Sequence, residues 1–268
     1  MTNHFRLCRK TFPVGSKRSR FLLYMLLCLM MTSSFQEMRQ AVDAKITIRF
    51  KAYIHGEPFL LNKKYQNLFG ESFTISRFRF YAGKFMPVYT DPRIKTNPST
   101  LYQLIDFSDI SSTSFQIHVA GGASNGIQFQ LGIDSTDQNQ GAQSGTMDPV
   151  NGMFWTWNNG YLCFKIEGSS PASTQPAHLF AYHIGGYRYP HNTTWKIKIN
   201  TTDDELFHIS PDNTSVVEVP VELSYFFDGQ LPLHIHDIPN CSAPGELARK
   251  ISENFIGIFT SLKVTPTP

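Results

Sequence analysis

Strict alternation over residues 45–54 constrains this chain more than any other feature. Ile46, Ile48, Phe50, Ala52 and Ile54 fall on one face, with Lys45, Thr47, Arg49 and Lys51 between them. Successive Cβ atoms leave a strand on opposite sides, so this period specifies a β-strand with one buried face. The same signal recurs down the chain. A shorter strand is expected at 59–61. In 71–80, Phe73 and Ile75 give way to Phe78 and Phe80, a phase slip at Ser76-Arg77 that predicts a β-bulge. Residues 101–107 fit a short helix or a further strand. Two alternating runs, 114–119 and 126–133, flank Ala120-Gly121-Gly122-Ala123-Ser124-Asn125, which predicts a hairpin-like connection. Strands are also expected at 179–184, 195–199 and 216–223, with Pro220 marking an edge or a bulge.

Near the end the period changes. Leu247, Ile251, Phe255, Ile258 and Phe259 recur at helical spacing, after a helix start at Ser242-Ala243-Pro244-Gly245-Glu246. The fold expected is therefore all-β: a single β-sandwich-like domain over 45–264, with an amphipathic C-terminal helix packed on its sheets.

Before that domain lies a different kind of segment. Arg6, Arg9, Lys10, Lys17, Arg18 and Arg20 precede an apolar run at 21–31, and Thr32-Ser33-Ser34 follow it. The run is too short for an ordinary transmembrane helix, and its flanks are those of a secretory signal. Residues 1–40 are read as a leader, with cleavage between Ser33 and Ala44. Lipidation at Cys28 is disfavoured, because Leu27 is a poor small-residue position before it. The mature chain is thus expected to be periplasmic or extracellular, with no stable transmembrane segment. The formal charge of +3 comes from the leader, so it gives no reason to expect a nucleic-acid partner. Cys163 and Cys241 remain after the leader. They either pair in an oxidising compartment or stay as one buried and one loop thiol.

The richest local pattern is Met153-Phe154-Trp155-Thr156-Trp157-Asn158-Asn159-Gly160-Tyr161. Two indoles one residue apart belong on one face of a short extended segment. Asn158-Asn159-Gly160 then turns the chain. Leu162, Phe164 and Ile166 alternate with Cys163, Lys165 and Glu167, which predicts a half-buried strand. Aromatic pairs at this spacing usually pack. A long polar loop, 135–148, leads into the stretch, and loops of that length tend to carry function or move.

Chemistry is sparser. His234-Ile235-His236 puts two imidazoles on one face at strand spacing, a common element of metal sites. Asp237 adds a carboxylate beside them. His183 ends a strand just before Gly185-Gly186, where a sandwich exposes functional groups. His118 alternates with Ile117 and Val119 and should face solvent. Gly122-Ala123-Ser124-Asn125-Gly126 spells a nucleophile-elbow string, but a strand follows where a helix is required. No other hydrolase or nucleotide-binding motif is present, and the chain is read as a non-enzyme.

Taken together, several ordered motifs resemble the MbnP-like copper-binding proteins of exported bacterial type. They are FTISRFRFY at 73–81, LIDF at 104–107, FQLGIDS at 129–135, Met147-Asp148-Pro149, the Trp stretch with KIEG at 165–168, YHIGGY at 182–187, and the terminal segment 248–259. The resemblance implies a β-rich exported fold that binds copper through His side chains and a kynurenine. That kynurenine is made from a Trp by a dihaem peroxidase-like maturation enzyme. Opening the indole yields an aromatic amine and a carbonyl, and imidazole nitrogens suit copper. Carried onto this sequence, Trp155 or Trp157 is the modifiable position and His183 matches the family's His before the Gly pair. His234 or His236 is the further ligand considered. The alternative is an exported interaction or glycan-binding module without metal, using the aromatic side chains of Trp155 and Trp157.

Overall fold

The alternation at 45–54 becomes β1 (Asp43–Ile54), with Ile46, Ile48, Phe50 and Ile54 buried, in a computed structural model that describes residues 42–157 and 160–266. The leader 1–40, Cys28, and Asn158 and Asn159 of the expected turn lie outside the described residues. After β1 the chain makes only β2 (Glu57–Pro58). The strand expected at 59–61 does not form. There the Leu60 N–H and carbonyl are both bonded to the Tyr65 hydroxyl, at 2.8 and 3.1 Å, so a side chain satisfies backbone groups that a ladder would have used.

Then come β3 (Lys64–Gln66), β4 (Ser72–Tyr89), β5 (Tyr102–Asp106), β6 (Ser114–Ala120) and β7 (Gly122–Leu131). The helix-or-strand choice at 101–107 is thereby resolved as strand. The second half holds β8 (Phe154–Trp155), β9 (Gly160–Ser169), β10 (Leu179–Gly185), β11 (Trp195–Asn200) and β12 (Phe207–Ile209). It ends with β13 (Ser215–Glu222), β14 (Asn240–Cys241) and β15 (Lys263–Pro266).

Among the described residues these strands form two sheets. The five-stranded sheet runs β15-β13-β1-β2, with β6 also on β1. The ten-stranded sheet runs β11-β7-β4-β9-β10-β14, with β12 on β7, β3 and β5 on β4, and β8 on β9. β4 pairs with β9 with a register shift between Ile75 and Arg77, where the phase slip predicts a bulge. Pro220, paired with Lys51 of β1, lies beyond the Ser215–Glu218 stretch of β13 that β15 covers, so no ladder on that side needs its missing N–H.

The expected hairpin at 120–125 is replaced by a crossover. β6 pairs with β1 in one sheet, whereas β7 pairs with β4, β11 and β12 in the other. The chain changes layers at two glycines. Gly121 N–H bonds the Val42 carbonyl at 2.8 Å, and Gly122 takes φ +152°, which a side chain would disfavour.

The two inner faces meet in an aromatic core. The Phe50 ring of β1 stands edge-on to Phe80 and Phe129 of the other sheet, at 5.3 and 5.8 Å. The helix Glu246–Ile256 closes one side of it, with Phe255 stacked on Phe164 at 3.7 Å. Leu247, expected on the helix's apolar face, is 39 % exposed, and Ile258 and Phe259 follow the helix rather than belong to it. The fold is an all-β, sandwich-like one, and its last strand, β15, comes after the helix.

Candidate functional site

A second, smaller core lies on the far side of the ten-stranded sheet. Tyr81, Ile133, Met147, Met153, Trp155 and Tyr161 cluster there, beneath the polar segment that follows β7. That segment is tied down by the sheet's own side chains. The Tyr81 hydroxyl donates to the Thr146 carbonyl at 2.9 Å, and the Tyr161 hydroxyl to the Met147 carbonyl at 2.8 Å. Buried Gln138, in the short helix Ser135–Gln138, accepts from the Tyr161 N–H at 2.7 Å. Thus the long loop is a structured cover.

This cover changes β9. Its Phe164 and Ile166 face the main core as the alternation requires, and Lys165 and Glu167 face the other way; at Leu162 and Cys163 the phase slips, with Leu162 in the second core and Cys163 in the main one, where the pairing with β10 shifts register. Half-burial was expected, yet Lys165 is only 8 % exposed. The reason is tertiary: Lys165 Nζ donates to the Gly152 carbonyl at 2.6 Å, and Arg79 of β4 donates to the Asn151 carbonyl at 2.8 Å. Carbonyls at the end of the loop have drawn two cations under it. Arg79 also pairs with Asp106 at 2.6 Å. Burial pushes the Lys165 ammonium below its ordinary pKa, against the opposing pull of Glu167.

Beside these cations stands His183. β10 places it opposite Lys165, and its Nε2 lies 2.7 Å from Glu167 Oε1. Arg77 approaches the other Glu167 oxygen at 3.6 Å. The hydrogen bond from His183 is the largest influence holding the Glu167 carboxyl below the usual range, ahead of the opposing effect of burial.

Two residues further along β10 is Gly185, about 7 Å on at strand rise. A Cβ there would stand 2.9 Å from Trp155 Cζ3 and 2.8 Å from the Tyr161 carbonyl oxygen. The missing side chain is what lets the Trp155 ring lie over β10. β8 positions this indole by pairing Trp155 with Gly160. The strand ends at Trp155, so the indoles do not share an extended segment; their rings still meet, 5.3 Å apart and tilted by 42°. Trp155 is 8 % exposed and Trp157 64 %.

The structure therefore puts His183 and Gly185, the seat of the Trp155 ring, two residues apart on one face of β10. His234 and His236 are elsewhere. His234 stacks on Phe69 at 3.9 Å, and His236 Nδ1 lies 2.8 Å from Asp237 Oδ1. Between them Ile235 is buried in the main core, and the Ile235 and His236 amides both donate to Glu71. Among the described residues no group of three or more His, Cys, Asp or Glu side chains is placed to hold a metal ion. Cys163 and Cys241 are both free and both buried, so neither of the two arrangements expected for them is found. His118 is exposed against Asp43. Ser124 is buried within β7, its hydroxyl 2.9 Å from both the Val88 and the Gly126 carbonyl oxygens.

Sequence reasoning missed Glu167, Lys165, Arg79 and Gln138 as parts of this site. The alternation marked Lys165 and Glu167 only as the polar side of a strand. The one signal available was the density of charge in Arg77, Arg79, Lys165 and Glu167 on strands that are otherwise apolar.

A family model described as MbnP matches residues 43–243. No curated protein matches the chain. Among solved structures, MbnP from Methylosinus trichosporium is similar at 14 % identity and a TM-score of 0.52, over 85 % of this chain and 100 % of that one. At that identity the likeness speaks for the fold.

Proposed function

This chain belongs to the MbnP family, and from that premise we propose that it is an exported, non-enzymatic protein that binds copper as cargo, to sequester or deliver it. The observation that carries the reading is the His183–Glu167 pair beside Trp155. A metal-binding His commonly holds a carboxylate through one ring nitrogen, which fixes the ring and leaves the other nitrogen for the metal. With Nε2 on Glu167, His183 offers Nδ1.

One imidazole is not a copper site. The resemblance supplies the rest of the argument, because a kynurenine in the Trp stretch adds an aromatic amine and a carbonyl next to His183. Trp157 is the indole that a dihaem peroxidase-like maturation enzyme reaches without unfolding the chain, being mostly exposed on top of Trp155. His234 and His236 stand outside this centre because they lie beside Phe69 and Glu71, away from β10 and the Trp pair. Export rests on the leader read at 1–40. Among the described residues no helix is long and apolar enough to cross a membrane.

A second reading draws on the same exposed indole. Trp157 over Trp155 is an aromatic platform suited to a cell-surface partner or glycan, with no metal involved. Metal analysis and intact mass of protein purified from its own host separate the two. Bound copper with one Trp converted to kynurenine is the expected result. Copper-free protein with Trp155 and Trp157 both unmodified would overturn the first reading and leave the second.

A further inference from the structure

We propose that the cleft beneath the 91–97 loop binds a small organic anion with an apolar body. The cleft has a volume of about 670 Å³, the size of a small-molecule site. Its floor is one cross-strand row on the outer face of the ten-stranded sheet. Met86 pairs with Gln128, and Gln128 with Lys198, so their side chains stand side by side there. Ile94 and Lys95 close the cleft from the loop side.

The loop is held in place. Gly122 leaves a seat that the Ile94 side chain fills: a Cβ there would lie 2.5 Å from Ile94 Cδ1. The Thr90 N–H bonds the Ala123 carbonyl at 3.1 Å, and the Ser99 N–H bonds the Phe85 carbonyl at 3.2 Å. A roof fixed at both ends lowers the ordering cost of binding.

Charge gives the ligand its sign. Asp91, the carboxylate lining the cleft, is paired with Arg93, whose Nη2 lies 2.7 Å from Oδ2. Neither Lys95 nor Lys198 has a carboxylate partner among the described residues. The Gln128 amide likewise makes no side-chain hydrogen bond among the described residues, although the ladder on both sides of it is complete. Two unpaired ammonium groups and a free amide, set among Met86, Val88 and Ile94, match a carboxylate or sulfonate carried on a ring or short chain. An inorganic anion would leave the apolar wall unused.

The test uses purified metal-free chain and does not rest on the copper reading. 1-Anilinonaphthalene-8-sulfonate is titrated by fluorescence beside its neutral twin, N-phenyl-1-naphthylamine. The sulfonate should bind saturably and at least about tenfold tighter than the twin, as a charge-assisted contact predicts. The Lys95→Glu/Lys198→Glu double variant should lose at least about tenfold in sulfonate affinity. Lys64→Glu, on β3 beside Thr74 and twelve residues along β4 from Met86, should stay within about twofold, since exposed charges beyond a Debye length are screened. Far-ultraviolet circular dichroism checks that the variants fold; both target lysines are exposed. Equal binding of the neutral twin, or unchanged sulfonate binding in the folded double variant, overturns the proposal, as does an equal loss in Lys64→Glu.

Discussion

His183 Nε2 and Glu167 Oε1 lie 2.7 Å apart on adjacent strands, one register step from the buried Lys165. This contact joins a charged cluster under a structured loop to the edge of an aromatic pair. Its first consequence is a pH dependence. The Glu167 carboxyl is held below its usual range, chiefly by the hydrogen bond to His183. A carboxyl whose folded pKa is depressed contributes stability above its unfolded value, near 4.3, and loses it as pH falls through the folded value. Glu167→Gln should cost about 1 kcal/mol at neutral pH. It should also flatten the stability profile below about pH 4.3. Urea unfolding across a pH series measures both, and a variant with the wild-type acid slope would contradict the assignment.

The second consequence concerns the metal. If His183 is a copper ligand held in place by Glu167, then Glu167→Gln should weaken copper binding by about 10- to 100-fold, and His183→Ala by at least as much. Competition against a chelator, with protein matured in its own host, gives the affinities. An unchanged affinity in His183→Ala would remove the centre proposed here.

The two indoles should behave differently. Trp155 is buried against Gly185, and Trp155→Ala should cost about 3–5 kcal/mol by cavity formation. Trp157→Ala, at an exposed position, should change stability by about 0.5 kcal/mol or less. Denaturant melts of the two variants compare them directly. Mild chemical oxidation followed by peptide mapping should find Trp157 modified before Trp155.

The thiols offer a further check. Cys163 and Cys241 are free, and burial pushes both thiols above their ordinary pKa. Alkylation at pH 8 should leave Cys163 unlabelled in the native chain and label it fully after unfolding, as read by mass spectrometry. Rapid native labelling of Cys163 would mean that the main core around β9 opens readily.

Period-two alternation was enough to place β1, the bulge in β4 and most long strands, because one-sided burial leaves its mark on consecutive residues. It failed wherever the partner was remote. Leu60 gave up its ladder bonds to Tyr65, and the two alternating runs around Gly121-Gly122 went to different sheets. For the candidate site, composition and motif order singled out the Trp stretch and His183, and they did not single out Glu167. A Glu on the polar side of a strand looks the same whether it meets water or an imidazole.

By itself the sequence determined the all-β class, the helix near the end of the chain and the family, and it singled out the candidate residues. Those depend on local periodicity and on motif order, both of which are written along the chain. Only the tertiary structure decided that the polar loop folds over β9, that Lys165 is buried, and that His183 faces Glu167 while His234 and His236 lie apart. These contacts join residues well separated along the chain, by 65 positions for Tyr81 and Thr146 and by 164 for Glu71 and Ile235. No local pattern encodes such a contact, because its free energy arises only when two separately formed elements exclude water from the same place.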